Sequence, residues 1–123
     1  MLNIYNAEIY DENEIKKIHE KYPSLDGFDI LNFNTSKVTD MSYLFDSCQY
    51  LQKMFIINFD TSKVKNMNRI FCGCKSLTDI DLSKFKAKKD VTVHAAFKEC
   101  HPQLVNKVKS EVLYINIKGR NAF

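Results

Sequence analysis

The sequence predicts an α/β solenoid of stacked strand, turn and helix units, on three observations. The stretch Phe59-Asp60-Thr61-Ser62-Lys63-Val64 repeats Phe33-Asn34-Thr35-Ser36-Lys37-Val38 at an offset of 26 residues. The same offset recurs at Met41/Met67, Phe45/Phe71/Phe97, Cys48/Cys74/Cys100, Leu51/Leu77 and Phe59/Phe85. Within each unit the apolar spacing changes from two to three and four, as for a strand followed by a helix. So short a unit cannot bury its own apolar stripe, and consecutive units must stack.

The strands come first. Leu25-Phe28-Ile30-Phe33, Leu51-Met54-Ile56-Phe59 and Leu77-Ile80-Leu82-Phe85 share an LxxLxLxxF pattern whose central pair alternates at period two. The register extends back to Leu2-Asn3-Ile4, which aligns with Phe28-Asp29-Ile30, so about four to five strands are expected in all. After each strand, Thr35-Ser36 or Thr61-Ser62 supplies hydroxyls suited to a helix N-cap. Val38, Met41, Leu44, Phe45 and Cys48, and then Val64, Met67, Ile70, Phe71 and Cys74, fall on one helical face. Stacking places Phe45, Phe71 and Phe97 in one internal column.

The ends depart from the pattern. Ile15, Ile18 and Tyr22 suggest an early helix capped by Asp11 with Glu14 three residues on, and Pro23 closes it. The third unit is degenerate, with Val93 where Met stood before and His101-Pro102 interrupting. A helix over Gln103 to Ser110 and a final alternating strand over Val112 to Ile117 are expected next. One domain results, with an N-terminal cap at 1–24, repeats at 25–100 and a C-terminal cap at 101–123, because a stack needs its terminal cores shielded.

Cys48, Cys74 and Cys100 lie on the repeat period and are expected to form a buried ladder of thiols acting as small hydrophobes. A zinc site would need Cys72, Cys74, Cys100 and His94 or His101, a spacing that matches no zinc pattern. No metal or cofactor is expected. The net charge of +3 conceals an asymmetry: residues 1–61 sum to −5 and residues 62–123 to +8. In a stack, order along the chain is order in space, so one end is acidic and the other basic.

The unit FDTSKVKNMNRIFCGCKSLTDIDLSKF, residues 59–85, closely resembles the 26-residue repeat of bacterial and mycoplasmal surface proteins, a BspA-like branch of the leucine-rich repeats. The resemblance covers residues 25–100 through TSKV, the Met three residues on, the Phe four beyond, the Cys and the LxxLxLxxF strand. It implies a right-handed solenoid with a parallel sheet on the concave side and short helices on the convex side. Family members are often exported and displayed at the cell surface for adhesion or recognition. The N-terminus here, with Glu8, Asp11, Glu12 and Glu14, lacks the basic-then-apolar layout of a signal peptide, so a cytoplasmic location is expected. No apolar run approaches the roughly 20 residues that a membrane-spanning helix needs.

With the central pair of each strand facing inward, two rows should cross the open sheet face: Asn3, Asp29, Phe55, Asp81 and Tyr5, Leu31, Ile57, Ser83. Tyr5, Leu31, Phe55 and Ile57 would form an apolar patch flanked by Asp29 and Asp81, with Lys53 and Tyr114 at the rim. Such a patch marks a protein-binding surface. Lys63, Lys65, Arg69, Lys84, Lys86, Lys88 and Lys89 form the basic zone. The expected function is therefore non-catalytic binding of another protein by a monomer, for instance as an inhibitor of a larger enzyme such as a nuclease. The alternatives are a surface adhesion fragment and nucleic-acid binding by the basic half, whose lysines lack interleaved stacking aromatics. An enzyme is not expected, because His19, His94 and His101 have no nucleophile at a diagnostic spacing and three glycines make no phosphate loop.

Overall fold

Strands and ribbons recur in the computed structural model at the spacing of the sequence repeat. The structure describes residues 2–8, 27–57, 59–110, 116–117 and 119–123, with the backbone alone for 2–8 and 27–32. Strands β1 (Leu2–Glu8), β2 (Gly27–Asn34), β3 (Leu51–Ile57) and β4 (Asp79–Ile80) form one parallel sheet in the order β1-β2-β3-β4. Parallel neighbours joined in sequence order require the chain to cross over between strands, and the crossovers from β2 to β3 and from β3 to β4 each carry the turn segment of one unit. The expected helix from Asp11 to Tyr22 lies outside the described residues.

Register follows the 26-residue offset at two of the three strand pairs. Asn3 stands level with Asp29 and Tyr5 with Leu31, and Lys53 is level with Asp79 and Met54 with Ile80. Between β2 and β3 it slips. Gly27 pairs with Leu51 but Phe28 with Lys53, so Gln52 is an extra residue on β3, and Asp29 lies level with Met54 and Leu31 with Ile56. The fourth strand is also shorter than expected. After Ile80 the chain enters a 3-10 turn, Leu82–Lys84, because Asp81 Oδ1 accepts the Ser83 N–H at 3.0 Å and its hydroxyl at 2.6 Å.

The expected convex helices are instead ribbons of tandem turns. Residues 42–47, 68–73 and 94–99 are turns, with Tyr43, Ser47, Arg69, Gly73, Ala95 and Glu99 all at positive φ. In the first ribbon alternate N–H groups bond forward to the next unit: Met41 to the Asn66 carbonyl, Tyr43 to Asn68, Phe45 to Ile70 and Ser47 to Cys72, at 2.7–3.0 Å. The N–H groups between them close turns, Leu44 onto Met41, Asp46 onto Tyr43 and Cys48 onto Phe45. Every N–H from Tyr43 to Cys48 thus has a backbone acceptor. A helix of this length would leave its first four N–H groups without partners, besides the cost of nucleation. Left-handed residues cost roughly 1–2 kcal/mol each, and the hydrogen bonds between units offset them. Met41, Leu44, Phe45 and Cys48 are buried in the ribbon, so the three-and-four spacing fits both structures.

Thr35 and Thr61 cap no helix either. The buried Thr35 hydroxyl donates to the Asp60 carbonyl and accepts the Asp60 N–H, both at 2.8 Å. Thr61 does the same one unit later, toward the Lys84 carbonyl and the Lys86 N–H. Each hydroxyl therefore joins two units through one buried atom.

The core lies between sheet and ribbons. Phe45 and Phe71 stack at 5.4 Å between ring centroids and Phe71 and Phe97 at 5.6 Å, with Phe85 meeting Phe71 edge-on at 5.1 Å. The Cys74 thiol donates to the Phe45 carbonyl and the Cys100 thiol to the Phe71 carbonyl, at 3.1 and 3.0 Å. Burial pushes both thiols well up, Cys100 to about 12.

Helix α1, Pro102–Lys109, matches the helix expected over Gln103 to Ser110. Pro102 opens it, and His101 caps it by accepting the Gln103 N–H at Nδ1. Leu104 and Val108 face the core, while Lys107 Nζ reaches the Ile80 carbonyl at 2.8 Å and Asp79 at 3.1 Å, beside the short β4. The final strand expected over Val112 to Ile117 is not what the described part shows: Asn116 and Ile117 are helical, and 111–115 lie outside the described residues. Asn121-Ala122-Phe123 then take the places of Ala95-Ala96-Phe97 one unit on. Ala95 and Phe97 donate to the carbonyls of Asn121 and Ala122, and Asn121 has the φ of 57° found at Arg69.

Candidate interaction surface

The exposed face of β3 follows from its alternation. Met54 and Ile56 point into the core, while Phe55 and Ile57 are 54% and 47% exposed. These two neighbours on one face of a strand flanked on both sides are the part of the expected patch that the structure brings together. Lys53 is half-buried on the same strand.

The rest of the expected surface is rearranged. Tyr5 lies on β1, and Asp29 and Leu31 lie on β2, but the slip at Gln52 sets Phe55 level with Ile30 and Ile57 level with Asn32. The rows drawn through Asp29 and Phe55, and through Leu31 and Ile57, therefore break between β2 and β3. Asp81 and Ser83 belong to the capped turn, not to a strand. The Asp81 carboxyl sits below the usual range because the Ser83 hydroxyl and N–H bond its ionised form. Tyr114 lies outside the described residues.

The basic zone is largely solvent-facing: Lys63, Lys65, Lys84, Lys86, Lys88 and Lys89 are exposed. Lys65 bonds Asp90 at 2.6 Å across one repeat, and the lysine holds that carboxyl below its ordinary value. Arg69 differs from the others. Its guanidinium lies 3.1 Å from Asp46 and 5.4 Å from the centre of the Tyr43 ring, joining two ribbons through an ion pair and a cation–π contact. Sequence patterning missed Tyr43 and Tyr50, which are exposed on and just after the first ribbon; their place off the apolar period was the available signal.

His94 is exposed on the third ribbon and His101 is engaged as a cap, while His19 lies outside the described residues. Among the described residues no group of three or more His, Cys, Asp or Glu side chains could hold a metal ion, and no helix is long and apolar enough to cross a membrane.

A family model described as "Mycoplasma protein of unknown function, DUF285" matches residues 10–112. No curated protein and no solved structure matches the chain.

Proposed function

Since the chain belongs to the family described as Mycoplasma protein of unknown function, DUF285, a repeat family related to BspA-like repeats, we propose that it is a non-catalytic protein-binding module. In this reading the stacked units form a right-handed leucine-rich-repeat solenoid with the sheet on its concave side. The observation that carries it is the pair Phe55 and Ile57, two large apolar side chains about half exposed on the same face of an interior strand. Covering them yields roughly 25 cal/mol per Å² of apolar surface, and aromatic anchors of this kind dominate the energetics of protein interfaces. Lys84 and Lys86, exposed beyond the end of β4, add a positive rim that favours a partner with acidic residues around an apolar centre.

The test compares three tagged proteins against a lysate of the source cells: the natural chain, Phe55→Ala/Ile57→Ala, and Lys84→Gln/Lys86→Gln. One protein captured at fixed stoichiometry by the natural chain and lost from the folded Phe55/Ile57 variant supports the reading. Equal capture by that variant sinks it. Nucleic acid alone, released by salt and by the lysine changes, would move the function to the basic half.

A further inference from the structure

A second surface lies away from Phe55 and Ile57, where the third unit meets the last ribbon. Residues 89–94 form one wall of a cleft of about 310 Å³, and Arg120 and Asn121 form the other. Arg120 is held in place through a single amino group: Nη1 donates to the Asn116 carbonyl at 2.6 Å and to the Lys88 carbonyl at 3.3 Å. Its Nη2 and Nε have no acceptor among the described residues. Asp90, the only carboxylate in the lining, is engaged by Lys65 on the neighbouring unit. Lys89 has no ion-pair partner among the described residues, and Thr92 and His94 add a hydroxyl and an imidazole.

We propose that this cleft binds a small phosphomonoester between the guanidinium of Arg120 and the ammonium of Lys89. A positioned guanidinium offers paired N–H donors that fit two phosphate oxygens, and a lysine supplies a point charge to the third. The surrounding half of the chain, at +8, raises the local concentration of anions. The volume is at the lower end of the roughly 300–1,000 Å³ typical of small-molecule sites, enough for more than a bare ion. Among the described residues only Arg120 and Asn121 face the wall provided by 89–94.

The test is an NMR titration of the full chain with a nucleoside monophosphate, set against an oligonucleotide without a terminal phosphate. Saturable one-to-one binding of the monophosphate, with amide shifts centred on 89–94 and 120–121, is expected. Lys89→Gln, at an exposed position, and Arg120→Lys, which keeps the charge but not the fork, should each weaken it roughly tenfold, the size of one lost charge-assisted hydrogen bond. No binding, unchanged binding in both variants, or equal binding of the oligonucleotide would each overturn the proposal, the last by placing the affinity in the general field of the basic half.

Discussion

The rings of Phe97 and Phe123 stack at 5.9 Å between centroids and 24° between planes, so Phe123 occupies the position that follows Phe45, Phe71 and Phe97 in one ladder. The spacing is maintained although the described part of the segment between the last two rings includes the helix α1. Lys109 Nζ lies 5.2 Å from the centre of the Phe123 ring, which is 41% exposed.

Position in the ladder sets the cost of truncation. Phe71 is fully buried and touches Phe45, Phe85 and Phe97, so Phe71→Ala should lose about 3–5 kcal/mol of stability. Phe123→Ala, at a half-covered ring stacked on Phe97, should lose about 1–2 kcal/mol. Urea unfolding of the two variants would check the difference, and equal losses would mean that the ladder does not carry the core.

The threonine hydroxyls that join units should be irreplaceable by an isostere. Thr61→Val keeps the shape but leaves the Lys86 N–H and the Lys84 carbonyl without their partner, at a cost of about 1–3 kcal/mol. Thr61→Ser restores both bonds and should recover most of the loss in the same unfolding measurement.

Left-handed backbone at equivalent ribbon positions predicts a stabilising change. Ser47, Gly73 and Glu99 have φ of 63°, 78° and 59°, and only the middle one is glycine. Glu99 is exposed, so Glu99→Gly should relieve strain without opening a cavity and raise stability by about 0.5–1 kcal/mol after the entropy cost of glycine. Gly73→Ala should do the reverse, with its new Cβ at 3.4 Å from Ser47 Cα. Thermal melts of the two variants should move in opposite directions.

Desolvated thiols predict alkaline sensitivity. Cys72, Cys74 and Cys100 all have raised values, each chiefly through desolvation, so the folded chain holds thiol protons that the unfolded chain releases above about pH 8.5. Stability should therefore be unaffected by these groups below that pH and fall as pH rises through the alkaline range toward the folded values. Cys74→Ala should reduce the slope by up to about 1.4 kcal/mol per pH unit, and urea midpoints between pH 8 and 10 would measure it.

On the acid side the sign is opposite. The Asp60 carboxyl is held down mainly by the Ser62 N–H, and that of Asp81 by the Ser83 hydroxyl. Their contribution is complete above the ordinary aspartate value of about 3.9 and lost as pH falls through the lower folded values. Both groups are close to solvent, so Asp60→Asn should only slightly flatten the acid limb of the stability profile.

The repeat, the burial of Met54 and Ile56 and the Phe and Cys columns were legible in the chain, because each depends on a spacing that identical units impose on themselves, and α1 was legible in the cap outside the repeats. Phe123 was legible too: Ala122-Phe123 follows Ala96-Phe97 at the same 26-residue offset, although the degenerate third unit hides it. Phe55 and Ile57 were readable for the same reason as their buried neighbours, since strand alternation exposes one pair when it buries the other. Tertiary structure decided the rest. Helix or turn ribbon could not be told from apolar spacing, because the choice depends on whether the N–H groups of Tyr43, Phe45 and Ser47 find carbonyls on the next unit. The slip at Gln52 is likewise a matter of two strands meeting, and it breaks the expected rows beside Asp29 and Leu31. The cleft at Arg120 forms only where residues about 30 apart in sequence become facing walls, and no local pattern of charges encodes that meeting.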